Sequence, residues 1–574
     1  MSDQQGEADS HVNRRKKTPI SGVFRNASKW DYFSINQVEK KVLGTMKNRI
    51  VFAAILLPLA LLTFLVERKL VKLPHFEYFS NKCDQKKVET ELQKNINEVF
   101  QKIDSIIPKI RFSHIDHTTS AQRSIATIKN PRNVYCVGDT LIVQVDSFDF
   151  LGNRKTFGGD FLLARIYSPE INAGASGRVE DFGNGTYHIH FKLFWAGAVN
   201  VSILLIHPSE GVSALWRARN KGYGYIAYTG YFSFQGKEAK TKCGFNLSKT
   251  EELCEYSDPK EEEYFYCIKP ANMPCGSLAS LASNYVDSHS YLSDLEKPLF
   301  TRSNILVQIP NSFEKLFVSS CGSISQQPQQ KCRAGMEYQF PGGYFYQNMW
   351  YHLSCNISRY RGKENINKCL QGRIVYLIGD STIRQWMNYI TSNSNSLKPF
   401  DLHGSNWAKT LLSVDTEHNI KIEWRKHANP FITLVFHTFK EEFTIPHQID
   451  QIGGDSYTVI AFTIGAHFRS YPIEPFIRRV INIRRAIEKL LLRSPDTKVI
   501  IKTENSSGVT KKVEEMFSDF HGYIHYLIIN DIFKDLKVSF VDAWDMTNAF
   551  ASNNMHPPVE VISNEIDLFL NYVC

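Results

Sequence analysis

The first 82 residues contain no cysteine, and nowhere in the 574-residue chain are two cysteines two residues apart and matched by a second such pair. The spacing that tetrahedral zinc sites use is missing, so no metal site is expected. Charge is thin as well. Charged residues make up 22% against 43% hydrophobic, which excludes both a disordered polar chain and a membrane protein of many spans. The net charge of +9 is not spread as a nucleic-acid surface requires. Residues 1–49 hold ten Lys/Arg against five Asp/Glu, about half of the excess, and nucleic acid is not an expected partner.

One stretch lacks charge altogether. Residues 50–66 are uncharged, with Lys47 and Arg49 before them and Glu67, Arg68 and Lys69 after. Such a length is at the short end of what crosses a bilayer. A cleaved signal peptide would place its apolar core near the start and follow it with a small-residue cleavage site, and neither feature is present. A buried core helix is the other reading, but no amphipathic partner pattern surrounds the segment. The expectation is a basic cytosolic tail at 1–49 and a transmembrane signal anchor at 50–66, oriented by Arg14, Arg15, Lys16 and Lys17. That makes a single-pass type II protein of the Golgi or secretory-pathway lumen, with shedding or secretion of the lumenal part as a variant.

All eleven cysteines follow the apolar segment, eight of them between 243 and 369. Their irregular spacing suits disulfides, whose connectivity the sequence does not give. The odd total leaves one thiol free or intermolecular. Cys83, in the stem, is the natural candidate and a route to a homodimer. Five Asn-x-Ser/Thr sequons, at Asn184, Asn200, Asn246, Asn356 and Asn505, follow the segment too. Both patterns place residues 67–574 in the lumen.

A chain of this length exceeds one core, so several folded units are expected. Residues 67–125 read as a helical stem: Val88, Leu92, Ile96, Val99, Ile103 and Ile106 recur at three- and four-residue spacings and predict a helix ending before Pro108. That stripe suits either packing on the chain's own body or a short coiled coil, a second route to a homodimer. Residues 126–236 show strand-length runs at 140–145, 161–166, 187–193 and 199–206, which predict an antiparallel, immunoglobulin-like sandwich. Residues 237–370 form a cysteine-rich region leading into the next domain; their acidic run Glu261, Glu262, Glu263 reads as a solvated loop. Residues 371–574 alternate strands (373–378, 457–464, 498–502, 538–541) with helices (382–390, 476–492, 559–573), the pattern of a parallel sheet covered on both faces.

Ligands in such sheets bind beyond the strand C-termini. There the first strand runs into Gly379, Asp380 and Ser381, with a helix following at once. A serine at a helix N-terminus is either a cap or a nucleophile beside unpaired backbone amides that stabilise an oxyanion. A nucleophile needs a base. Of nine histidines after 371, His556 stands out, because its Met555–Pro558 loop leaves the same sheet edge just before the terminal helix. Arg384, one turn into the serine helix, suits an anionic carboxylate of a ligand, a salt bridge near Asp380, or an exposed helix face.

The stretches GDSTIRQW at 379–386, Gly465-Ala466-His467 after a strand, and DAWDMTNAFASNNMHPP at 542–558 resemble the PC-esterase branch of the SGNH hydrolases. The preceding DFGNGTY at 181–187 and Phe194-Trp195 resemble neurexophilin. That order is similar to the neurexophilin and PC-esterase domain family, which implies a sandwich followed by an SGNH-type α/β domain with acyl-ester chemistry. By the resemblance Ser381 is the nucleophile, His556 the base, and the Ser381 amide with Gly465 part of an oxyanion hole, with Gly379, Asp380 and Arg384 completing the oxyanion and substrate set. Two departures stand out. Asn553 occupies the place of an Asp three residues before the histidine, leaving Asp542 or Asp545 to support the imidazole or a dyad to suffice. Thr463 stands where related proteins carry an oxyanion-hole Asn. The implied function is a lumenal O-acetyltransferase acting on glycans or glycoproteins, sialic acid among the acceptors, with acetyl-CoA as donor and a cleft walled by groups near Trp386 and Trp407. A glycan O-acetylesterase and a non-enzymatic adhesion or ligand-like protein with a relic esterase domain are the alternatives.

The cysteine and sequon distribution predicts N-glycans only after residue 66 and a tail open to the cytosol. Protease protection of the tail in sealed microsomes, or no glycosidase-sensitive mass shift, would reverse that topology.

Overall fold

The alternation read at 140–145, 161–166, 187–193 and 199–206 is strand in the computed structural model, which describes residues 89–574 apart from 249, 287–288, 302–305, 323–329, 403–409, 432–434, 440–442 and 509–513. The expected tail, the anchor at 50–66, the start of the stem with Cys83, and Trp407 lie outside the described residues. Among the described residues no helix is long and apolar enough to cross a membrane. The chain is a multidomain mixed α/β protein with several sheets.

A small antiparallel sheet pairs Ile125–Ile128, Thr140–Asp146, Thr186–Lys192 and Arg178–Asp181 in that order. An eight-stranded sheet built on Phe161–Ser168 and Gly197–His207 faces it. Every second residue points inward: Val143, Ile189 and Phe191 of one sheet meet Leu162, Ile166, Val201 and Ile203 of the other in one apolar core. The larger sheet also takes in Gly343–Tyr346 and Met349–His352, so its membership runs well past residue 236. Residues 89–574 form one compact unit.

Between 226 and 285 the cysteine-rich stretch is itself a sheet. Lys237–Gly244, Leu253–Asp258 and Glu263–Ile268 join Ile226–Phe234 and Leu278–Tyr285, and Val435–Thr438 closes its edge. Disulfides Cys243–Cys267 and Cys254–Cys275 pin these strands. Cys136–Cys321, Cys332–Cys355 and Cys369–Cys574 complete five bridges, which use every cysteine except Cys83. The acidic run is not a solvated loop. Glu261 is buried, and that burial pushes its carboxyl up to about 7. Glu263 Oε1 accepts from Arg479 Nε at 2.7 Å while Oε2 pairs with Nη2. Arg479 is itself wholly buried, and a dry guanidinium requires a carboxylate beside it.

The last sheet has five parallel strands in the order Ile420–Arg425, Ile374–Gly379, Thr458–Thr463, Lys498–Lys502, Ser539–Val541, extended by antiparallel Leu411–Asp415 and Lys398–Phe400. Its strands are buried on both faces, and alternate residues serve different cores. Ile460, Phe462 and Ile501 pack with the helices Ile473–Arg493 and Asp519–Phe533. Val459, Ala461 and Ile500 pack with Ser381–Ser392 and Val559–Val573. The stem helix, Glu91–Ile106, starts at the Thr90 cap. It turns Leu92, Ile96 and Ile103 into the first of these cores, so the stripe packs on the chain's own body.

Cys369–Cys574 ties the final residue back across 205 positions, to the helix that precedes the serine strand. Replacing Cys574 with Ser is expected to remove about 2–5 kcal/mol, read as a lowered denaturation midpoint under non-reducing conditions.

Candidate active site

The strand Ile374–Gly379 ends where a side chain has no room. A Cβ on Gly379 would lie 2.1 Å from the Thr463 carbonyl oxygen of the paired strand. This close approach brings Asp380 over the end of the neighbouring strand. Asp380 is the N-cap of the helix Ser381–Ser392, its Oδ1 accepting from the Thr382 amide at 2.9 Å and hydroxyl at 2.7 Å. Its Oδ2 accepts from the Ala466 amide at 3.2 Å. Asp380, proposed from sequence as an oxyanion or substrate residue, is thus buried and occupied in stitching the serine turn to the short helix Gly465–Phe468, where the sequence suggested a loop. Gly465 is equally constrained, since a Cβ there would fall 1.4 Å from Glu504 Oε1. Thr382 and Ala466 give their amides to Asp380, and the amides of Ser381 and Gly465 come immediately before them in the two chain segments.

Ser381, at the first position of its helix, lies with Oγ 2.7 Å from His556 Nε2. The cap and nucleophile readings part here, because Asp380 is the cap. His556 is exposed, and its loop is clamped on both sides. Asn505 Nδ2 donates to the Met555 carbonyl at 2.8 Å, Gln385 Nε2 donates to the Pro557 carbonyl at 3.2 Å, and the His556 amide donates to Asn554 Oδ1 at 3.0 Å. Asn505 is held in turn by Lys502 Nζ, a fully buried ammonium 2.8 Å from Asn505 Oδ1. The side of the His556 ring that faces the protein is desolvated, which lowers its pKa; the Asp380 charge opposes this, while Arg384 and Lys502 add to it.

The acidic partners expected for His556 are elsewhere. Asp542 caps the helix Ala543–Phe550, accepting from the Asp545 amide at 3.0 Å, Thr503 Oγ1 at 3.2 Å, Tyr526 at 3.1 Å and Tyr338. Asp545 Oδ2 accepts from the Gly342 amide at 2.6 Å. Both carboxyls are buried and held well above the usual range, chiefly by that burial, Asp545 also by the neighbouring Asp542 charge. Neither carboxylate hydrogen-bonds the imidazole, and Asn553 does not do so either; Asn553 packs against Gly508. Ser381 and His556 therefore form a dyad among the described residues. Arg384 sets its guanidinium 5.6 Å from the Trp424 ring centroid. Trp386, expected on the cleft wall, is fully buried and donates to Glu565 Oε2 at 2.6 Å.

Sequence reasoning set His467 aside and passed over His427. His427 Nε2 lies 3.0 Å from His467 Nδ1. Burial depresses both imidazoles, Asp380 pulling each the other way, and His556 weighs on His467. The available signal was the position of His467 beside Gly465 and Ala466; nothing local marks His427. Asn505, counted among the sequons, is 2% exposed with its amide committed on both sides.

Residues 350–574 match the family model described as NXPE family member 4-like, C-terminal domain. Residues 128–294 match the model described as Neurexophilin. Together they cover about two thirds of the chain, in the order read from the motifs, and the serine and histidine both fall within the first match.

Asn505 is expected to carry no glycan, and a glycopeptide containing it would contradict its placement. Asn505→Ala frees the Met555 carbonyl. Labelling of Ser381 by a serine-reactive fluorophosphonate should then slow roughly ten- to a hundredfold, the penalty of an ångström-scale misplacement, with the thermal midpoint measured alongside.

Proposed function

We propose that this chain, a member of the neurexophilin and PC-esterase domain family and so of a PC-esterase and acyltransferase-like superfamily, is a lumenal O-acetyltransferase acting on glycans. The observation that carries the reading is the 2.7 Å contact between Ser381 Oγ and His556 Nε2 at a helix start on the C-terminal edge of a parallel sheet. The strand order, with the serine strand between two parallel neighbours, supports an SGNH-type arrangement, and the two facing sheets before it support the sandwich the family implies. The uncharged stretch at 50–66 and the sequons support a type II protein of the Golgi or secretory pathway.

His556 Nε2 takes the Ser381 proton as Oγ attacks the acetyl carbonyl of a thioester donor, acetyl-CoA by family analogy. The C–O bond forms, the amides of Ser381 and Gly465 face the oxyanion, and the C–S bond breaks as the thiolate leaves with the proton from His556. A sugar hydroxyl then attacks acetyl-Ser381, gives its proton to His556, and leaves as the acetyl ester while Oγ is reprotonated. Without a carboxylate on the imidazole, the imidazolium is stabilised only at a distance by Asp380. Arg384 is the group suited to an acidic sugar such as sialic acid. A second reading has one observation behind it: His556 is exposed, and water reaching acetyl-Ser381 would make the protein an O-acetylesterase.

A base must be neutral to act, and a lowered imidazole pKa keeps it neutral to lower pH. The acid limb of kcat/KM should lie below the ordinary histidine value of about 6.5, and Asp380→Asn, which removes the one raising charge, should move it lower still. Ser381→Ala should abolish glycan acetylation in cells at matched expression while disulfide formation and trafficking persist. An esterase would instead lower glycan acetylation, and the variant would restore it. Equal acetylation with wild type and variant, in cells supplied with acceptor, would sink both enzymatic readings.

A further inference from the structure

Three side chains on the outward face of the small sheet converge without any part in the serine site. His188 and His190 stand two residues apart on Thr186–Lys192, so both leave the strand on the face opposite Tyr187, Ile189 and Phe191, which fill the core. Glu180, on the paired strand Arg178–Asp181, is the register partner of His188. Its carboxylate leans diagonally, putting Oε2 3.0 Å from His190 Nε2. One ligand atom from each of the three residues lies within 4.8 Å of the others. A single ion bound at about 2.0–2.2 Å by nitrogen and oxygen ligands spans such a set.

What faces His188 sharpens the case. Lys129 Nζ lies 2.8 Å from His188 Nε2. Against Lys129, which has only protons to donate, that nitrogen presents its lone pair, the form in which histidine binds a metal; against the Gln144 oxygen it would present a proton. Lys129 thus sets a cation against the His188 ring, and that cation is carried by an exposed, flexible side chain. Gln144 Oε1, 3.3 Å from the same nitrogen, offers a neutral oxygen nearby. The Phe182 ring, edge-on with centroids 4.4 Å apart, restrains the His188 ring. Both histidines and the glutamate stand on paired strands of fixed register, the kind of support that holds ligand geometry better than a loop.

We propose that Glu180, His188 and His190 form a binding site for a divalent metal ion of the zinc class, reached when Lys129 swings aside. Two imidazoles and a carboxylate suit zinc and its transition-metal neighbours and are poor ligands for calcium or magnesium. Three protein ligands leave a position open to water or to a donor group from another molecule.

The test is a zinc titration of the metal-free full-length protein against a chromophoric competitor. One equivalent should bind, and His190→Ala and Glu180→Gln should each weaken it at least tenfold. Lys129→Gln should tighten it, because the competing cation is gone, a change that scattered surface histidines would not show. X-ray absorption on the zinc-loaded protein should report two imidazoles with oxygen in the remaining positions. Zinc affinity unchanged by His190→Ala and Glu180→Gln, or weakened by Lys129→Gln, would overturn the site. Because these side chains point outward, the thermal midpoints of the metal-free variants should stay near wild type; should His190→Ala lower its midpoint, His190→Gln takes its place in the same titration.

Discussion

A guanidinium without access to water, that of Arg469, organises the region around the serine. It donates to Glu504 Oε2 at 3.0 Å, Asp519 Oδ1 at 3.3 Å, Ser507 Oγ at 2.9 Å, and the Asn505 and Phe517 carbonyls at 2.7 and 3.2 Å. A buried charge needs opposite charge and acceptors beside it, so residues 504–507 and 517–519 close around its two terminal nitrogens. Two consequences reach the site directly. Asn505, its backbone fixed, holds the Met555 carbonyl and with it the His556 loop. Glu504, held from one side by Arg469, lies so close to Gly465 that the short helix Gly465–Phe468 has one place to go.

The same reasoning accounts for the absent third member of the triad. A carboxylate supports an imidazolium only if it is charged and in reach. Asp542 and Asp545 sit apart from His556 in a dry pocket with Tyr338, Tyr526 and Gly342, where burial holds both carboxyls up. They are committed to the start of the helix Ala543–Phe550 and to its contact with Gly342. Asp380 supplies the nearest carboxylate charge, but both its oxygens already accept amides. The serine pair is therefore built for position more than for charge: three clamps on one loop and a cap on the other.

Much of this was legible in the sequence where a local pattern and a physical rule coincided. The strands at 140–146, 161–168 and 498–502 and the helix Val559–Val573 were marked by period, and Pro108 marked the end of the stem helix. Ser381 was legible because a strand ran into a helix without a loop, and His556 because it preceded the last helix. What failed were inferences that needed partners distant in the chain. The acidic run looked solvated because Arg479, some 216 residues on, is invisible from Glu263. Asn505 heads a sequon, but its burial and its commitments to Lys502 and Met555 exist only in the fold. The cysteine-rich region hid a sheet because its strands are short and partly polar, and one of them, Val435–Thr438, comes from beyond the serine strand.

The buried network does not stop at the edge of the α/β region. Glu504 Oε1 meets His525 Nδ1 at 2.9 Å, and the other nitrogen of that ring contacts Arg219, which lies within the neurexophilin match and is itself 1% exposed. Arg219 also donates to the Tyr471 and Phe468 carbonyls at 2.8 and 3.2 Å, at the end of the short helix that begins with Gly465 and in the turn after it. The helix Ser209–Arg219 is thus part of the support beneath the serine site, although its sequence belongs to the preceding sheets. Removing those sheets would leave two carbonyls and an imidazole without donors in a dry interior, each at a penalty of about 1–3 kcal/mol. The α/β region would then lose the order of its own 465–471 segment. Whatever the neurexophilin-type part binds on its outer face, its inner face already holds one wall of the serine site in place.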